Sequence, residues 1–239
     1  TDEKIQEAFI DFAKRVKPSG KVLARFGLPL NGITYGLAPK ANYRAENITI
    51  TDGRYQFTLV TKTGEKATVT SGLPGRHNVE NAVGAAAACL EFGLPLAQVA
   101  KGIETFEGVN RRFDVRVKNK KHIYIDDYAH HPEEITAFLN SVREMYSNKK
   151  ITAIFQPHLF TRTRDFINGF AESLALADSL ILMDIYPARE EAIPGVTSAW
   201  LLSKIDLNDK KILGPKEILA FVKQEKPELL ITIGAGDID

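Results

Sequence analysis

The sequence holds one cysteine, Cys89, so it has neither a disulfide framework nor a thiolate zinc cluster, and a reducing, cytoplasmic setting fits best. It also lacks any apolar run near the ~20 residues needed to span a bilayer, and no charged-then-apolar leader precedes the first helical pattern. Charge of one sign is missing too. Thirty-one Lys and Arg against 30 Asp and Glu leave a net charge of +1, which makes nucleic acid and anionic membrane poor default partners. What is present, 44% hydrophobic and 26% charged residues, is an ordinary globular balance that excludes a disordered tail, a fibre and a coiled coil.

The 239 residues suit two small domains better than one. Ile5, Ala8, Phe9, Phe12, Ala13 and Val16 fall at helical spacing and predict a first helix that ends near Pro18-Ser19-Gly20. Residues 21–26, 32–37, 45–51 and 55–61 are β-rich, with turns expected at Asp52-Gly53 and Thr63-Gly64. Gly72-Leu73-Pro74-Gly75 breaks that region. An Ala-rich helix is expected over about 78–92, and Pro95 starts another that runs to about 106.

Beyond Gly108, where the domain boundary is placed, the pattern alternates. Strands are expected at 123–125, 151–155, 180–183 and 229–233, with helical faces at Ile135/Phe138/Leu139/Val142 and at Phe166/Ile167/Phe170/Leu174 between them. Continuous apolar strands alternating with helices predict an open, mostly parallel sheet with helices on both faces. The chain opens on Thr1-Asp2-Glu3 and stops just after a strand and the Gly234-Ala235-Gly236 turn, where a covering helix normally follows, so a piece of a longer protein is expected.

Ligands of such sheets bind beyond the carboxyl ends of the strands. Those ends here read Asp126-Asp127-Tyr128-Ala129-His130-His131-Pro132, Gln156-Pro157-His158 with Thr161-Arg162-Thr163-Arg164 behind, Asp184 to Glu191, and Gly234 to Asp237. Each element also has a structural explanation. Asp126 and Asp127 are adjacent, so on a strand they face opposite ways, and either serves a cap or turn as readily as a ligand. Asp127, His130 and His158 are plausible metal ligands by type, but at no known motif spacing. Arg111-Arg112 reads either as a solvated pair or as a clamp on a phosphate. Asn78 is a competent helix N-cap, with Asn81 one turn on along the same face, and Gly84 lets a backbone approach closely.

In combination and in order, these segments resemble the Mur ligases, the ATP-dependent enzymes that build the peptidoglycan stem peptide. Gly75-Arg76-His77-Asn78-Val79-Glu80-Asn81 is similar to the family's H-N-x-x-N segment, and Gly108-Val109-Asn110-Arg111-Arg112-Phe113 to its G-x-x-R-R-F segment. Asp126 to Ile135 and Phe155 to Thr163 are similar to the branch that joins L-alanine to UDP-N-acetylmuramate. The resemblance runs from end to end. It implies that residues 1–108 are the C-terminal part of a central ATPase domain, and residues 109–239 a Rossmann-like C-terminal domain without its last helix.

By that resemblance, ATP phosphorylates the muramoyl carboxylate and the L-alanine amine displaces phosphate from the acyl phosphate. His77, Asn78 and Asn81 would border the adenine, and Arg112 would reach the terminal phosphate. Asp127 would accept from the ribose hydroxyls, with Tyr128 beside it and His130 in the cleft. His158 and Arg162 would bind the L-alanine carboxylate. One departure is Leu159, where many relatives carry arginine. The G-x-x-G-K-T phosphate loop has no match in the chain, and the ligands for Mg²⁺ are expected upstream, so the chain is expected to be inactive alone. Two other readings stay open: a non-catalytic nucleotide-binding module built on Asp127 and the Gly234 turn, and a metal-dependent phosphohydrolase built on Asp127, His130 and His158.

Overall fold

The computed structural model describes residues 2–51 and 54–238. It divides into two compact units, Thr1–Glu107 and Gly108–Asp239. The turn expected at Asp52-Gly53 lies outside the described residues.

The first unit begins with helix α1 (Asp2–Lys14), followed by strands β1 (Leu23–Arg25), β2 (Ile33–Gly36), β3 (Tyr43–Thr51), β4 (Arg54–Val60) and β5 (Lys66–Thr70), then helices α2 (Arg76–Glu91) and α3 (Leu96–Glu104). The strands form one sheet in sequence order, parallel through β1, β2 and β3 and antiparallel from β3 to β5. Strand β5 escapes the sequence reading because Lys66 to Thr70 is short and only half apolar. Val79, Val83, Ala86 and Ala87 of α2 are buried together with Tyr55, Phe57 and Leu59 of the sheet. Gly84 admits not a backbone but the ring of Tyr35, because a Cβ there would lie 2.8 Å from it. The apolar stripe of α1 stays exposed, Phe12 at 71%.

The second unit comprises β6 (Asp114–Lys118), β7 (Ile123–Asp127), α4 (Pro132–Met145), β8 (Ile151–Phe155), α5 (Phe160–Asp165), α6 (Ile167–Leu174), β9 (Ser179–Leu182), α7 (Ser198–Lys204), β10 (Lys210–Ile212), α8 (Pro215–Glu225) and β11 (Leu229–Ile233). The sheet order is β10-β9-β8-β11-β7-β6, all parallel except the antiparallel edge pair β6–β7. Helix α4 begins where Pro132 supplies the fixed φ of a first helical turn and Glu133 and Glu134 meet the positive end of the dipole. A large core joins Ile125, Phe138, Leu139, Phe155, Phe170 and Leu229 on one face of the sheet. On the other, Ile154, Ile181 and Met183 pack under Ile218, Phe221 and Val222 of α8. This is the doubly covered, mostly parallel sheet that the apolar strands predict.

The register brings three strand ends together. Strand β11 inserts between β7 and β8, with Ile233 opposite both Asp127 and Phe155. Tyr128, Gly234 and Gln156 therefore leave the sheet side by side at its carboxyl edge.

Candidate functional site

In the first unit, α2 starts two residues before the sequence suggests. Gly75 caps it from the left-handed region, with φ at 99°, a conformation that favours a residue without a Cβ. Asn78 is therefore not the N-cap. It lies in the first turn, where its Nδ2 donates to the Pro74 carbonyl at 2.6 Å and ties the helix to the preceding loop. His77 lines a cleft of ≈ 400 Å³, together with Phe26, Leu37, Ala38 and the Arg25–Glu80 ion pair of 2.8 Å. Asn81 is exposed one turn further along the helix. Among the described residues, of these three only His77 lines the cleft.

In the second unit, the two arginines before Phe113 part company. Arg111 takes φ of 61° and turns inward, so the charge pair is not a solvated one. Its Nε donates to Asp126 Oδ2 at 3.1 Å, and its two terminal nitrogens donate to the carbonyls of Gly236 and Gly234 at 3.0 and 2.7 Å. Tyr128 packs beside it, the ring centroid 5.2 Å from the guanidinium carbon. Arg112 is exposed and, among the described residues, makes no side-chain hydrogen bond or ion pair. Its charge acts on Asp127 at a distance.

The two aspartates face opposite ways, as strand geometry requires. Asp126 is fully buried against Arg111 and the Thr232 hydroxyl, which donates to it at 2.5 Å. Asp127 Oδ2 accepts from the Phe113 amide at 2.7 Å and Oδ1 from the Ala129 amide at 2.8 Å. Burial nonetheless pushes the Asp127 carboxyl up to about 6, against the lowering effect of those two amides and of Arg112. Among the described residues no group of three His, Cys, Asp or Glu side chains is placed to hold a metal ion.

The histidines form the polar centre of this edge. His130 Nδ1 lies 2.9 Å from the Tyr128 carbonyl, which can only accept, so in the neutral ring that nitrogen carries the proton and Nε2 the lone pair. His158 is the complement. A guanidinium can only donate, so Arg162 Nη1, 3.4 Å away, leaves His158 Nδ1 as acceptor and puts the proton of the neutral ring on Nε2. Burial, then the charge of Arg162, push the His158 titration down against an opposite pull from the Glu190 carboxylate, and favour that neutral form. The two imidazole centroids are 6.2 Å apart. His158 also stacks on Tyr186, at 5.6 Å and 16°. The sequence reading gave no role to Tyr186, Glu190, Thr161 or Gln156, although the Phe155 to Thr163 motif carries Gln156 and Thr161 and the strand-end rule pointed at the segment that carries Tyr186 and Glu190.

A sequence profile described as "Mur ligase, glutamate ligase domain" matches residues 111–233, and one described as "Mur ligase middle domain" matches residues 19–89. The UDP-N-acetylmuramate–L-alanine ligase of Flavobacterium johnsoniae is 45% identical over 238 residues, which is 100% of this chain and 53% of that protein. The ligase of the same name from Flavobacterium psychrophilum is 45% identical over 99% of this chain and 53% of its own length. The solved UDP-N-acetylmuramate-alanine ligase of Thermotoga maritima has the same fold, with a TM-score of 0.75 at 24% identity over 100% of this chain and 53% of that one. The chain thus spans about half the length of the curated relatives it matches. Since the first profile alone takes in half of its residues and the second accounts for most of the unit before it, the chain belongs to the Mur ligase family.

Proposed function

We propose that this chain supplies the nucleotide-facing and amino-acid-facing parts of an ATP-dependent ligase that joins L-alanine to UDP-N-acetylmuramate. The observation that carries the reading is the pair His158 and Arg162 next to His130. Donors suited to a small carboxylate stand beside an imidazole with an open lone pair. Relatives named for this reaction, 45% identical over the whole chain, support the same substrate set.

In this reading Arg162 and the Nε2–H of His158 hold the carboxylate of L-alanine. The amine attacks the acyl phosphate, the C–N bond forms as the C–O bond breaks, and phosphate leaves. The proton lost by nitrogen passes to His130 Nε2, which is free because Nδ1 is held by the Tyr128 carbonyl. Arg112, with no side-chain partner among the described residues, meets the terminal phosphate of ATP. Asp127 keeps one lone pair on each oxygen for the ribose hydroxyls, and Tyr128 flanks it. Within the first unit, His77, Asn78 and Asn81 are the residues this reading assigns to the adenine, and of these His77 lines the cleft beside Phe26. Catalysis here is alignment and charge neutralisation, so no nucleophilic side chain is required.

Mg²⁺ supplies charge neutralisation to ATP in such chemistry. The described residues offer no three-ligand cluster for it, so no step is assigned to it here. No described helix is long and apolar enough to cross a membrane. In this reading the substrates are nucleotide-linked precursors and the activity is one of the bacterial cytoplasm.

Arg162→Ala in the full-length ligase is the test. It is expected to raise KM for L-alanine far more than KM for ATP, and equal effects would reject the assignment. The chain by itself is expected to form no ADP from ATP with UDP-N-acetylmuramate and L-alanine.

A further inference from the structure

The loop after β9 carries a carboxylate that no step of the ligase chemistry uses. Glu190 Oε2 accepts from the Thr161 amide at 2.9 Å and Oε1 accepts from the Thr161 hydroxyl at 2.5 Å. These bonds hold the Glu190 carboxyl below the ordinary carboxylate range, so it is an anion at neutral pH. Thr161 lies in α5 directly before Arg162 and three residues after His158.

The same two loops are joined elsewhere. The Leu159 amide donates to the Tyr186 carbonyl at 2.9 Å, and the Tyr186 amide donates to the Pro157 carbonyl at 2.8 Å. The His158 and Tyr186 rings stack across this short bridge. Leu159 and Ala188 sit in the left-handed region, with φ of 73° and 50°. Side-chain-bearing residues adopt it only where surrounding contacts hold them. Both strained residues belong to the segments that Glu190 and Tyr186 lace together.

We propose that Glu190 is a positioning residue for the amino-acid subsite: by pinning Thr161 it holds the first turn of α5, so that Arg162 and His158 present their donors to one small carboxylate. This rests on the reading of His158 and Arg162 as the L-alanine carboxylate site. Glu190 touches neither substrate nor the reacting atoms. The proposed effect is geometric and falls on one substrate only; the Glu190 charge also reaches His158 and Arg162, which is why a neutral isostere is needed to separate the two.

The conservative variant separates this role from a bare charge effect. In Glu190→Gln the amide oxygen accepts from the Thr161 amide, and the amide nitrogen donates to the Thr161 hydroxyl, so both links survive without charge. Glu190→Ala loses both. In the chain as it stands, Glu190→Ala is expected to speed hydrogen exchange at the Leu159 and Tyr186 amides about tenfold or more, with Glu190→Gln near the wild-type rate. Unchanged protection in Glu190→Ala would overturn the latch.

In the full-length ligase, Glu190→Ala is expected to raise KM for L-alanine about tenfold, leave KM for ATP within about twofold, and be largely rescued by Gln. If Arg162→Ala raises KM for L-alanine while Glu190→Ala does not, the positioning role is wrong and the subsite stands. If neither variant acts selectively on L-alanine, the subsite assignment fails, and the positioning role falls with it. Failure of Glu190→Gln to rescue would also overturn the proposal, because charge rather than geometry would then carry the effect.

Discussion

Arg111 and Asp126 form a 3.1 Å ion pair inside the second unit, with the aspartate fully buried and the guanidinium also holding the carbonyls of Gly234 and Gly236. One side chain thus ties the loop before β6, the end of β7 and the turn after β11 into one rim. Its neighbour Arg112 contributes nothing to that rim and points its charge outward.

The two arginines are therefore expected to separate stability from function. Arg111→Ala leaves a buried carboxylate short of its partner and should cost the second unit about 3–5 kcal/mol. Arg112→Ala should stay within about 0.5 kcal/mol. Urea unfolding followed by Trp200, the single tryptophan, reads this unit directly. Equal losses would contradict the division.

Asp127 gives a pH signature of unusual sign for a carboxylate. Its folded titration, raised by burial to about 6, lies above the unfolded value, so the folded state holds the proton more tightly. Its contribution to stability is fully present below about pH 4 and is lost as pH rises through about 6, an amount of roughly 3 kcal/mol. The stability difference between wild type and Asp127→Asn, measured across pH 4 to 7, should fall by about that much. A flat difference would show that the carboxylate is not perturbed.

His158 should titrate below an ordinary histidine, and Arg162→Ala should move its midpoint back up, because a neighbouring positive charge is removed. Nitrogen-15 spectra of the ring are expected to show the neutral form protonated on Nε2 for His158 and on Nδ1 for His130. The reverse tautomers would reassign donor and acceptor at this edge.

In the first unit, Asn78→Ala deletes the 2.6 Å bond to the Pro74 carbonyl and should cost about 1 kcal/mol. Asn81→Ala, exposed on the next turn, should stay within about 0.5 kcal/mol. Thermal unfolding of the two variants decides this. If both asparagines border the adenine, both variants weaken ATP binding in the full-length ligase whatever they do to stability.

Legibility followed periodicity. The five-residue apolar strands β8 and β11 and the helix opened by Pro132 stood out because burial on both faces, or a proline at the first turn, leaves a strong local pattern. Strands β5, β6 and β10 did not, being short, charged or at a sheet edge, where pairing with a neighbour rather than composition makes the strand. The helix start at Gly75 was missed because Asn78 is the better cap by residue type, while the loop entering from Pro74 demands a positive φ that glycine provides.

The sequence by itself determined the family, the doubly covered parallel sheet and the edge at which its polar strand ends gather, because strand ends, motif order and hydrophobic period are all written along the chain. Only the tertiary structure decided which member of each adjacent pair does what. Arg111 turns inward while Arg112 stays out, Asp126 serves the core while Asp127 faces the loop amides, and Glu190 reaches Thr161 across 29 residues. Neighbours in a chain look alike in composition, but a pleated strand or a left-handed residue sends them to opposite faces, and their partners come from segments that meet only once the sheet has formed.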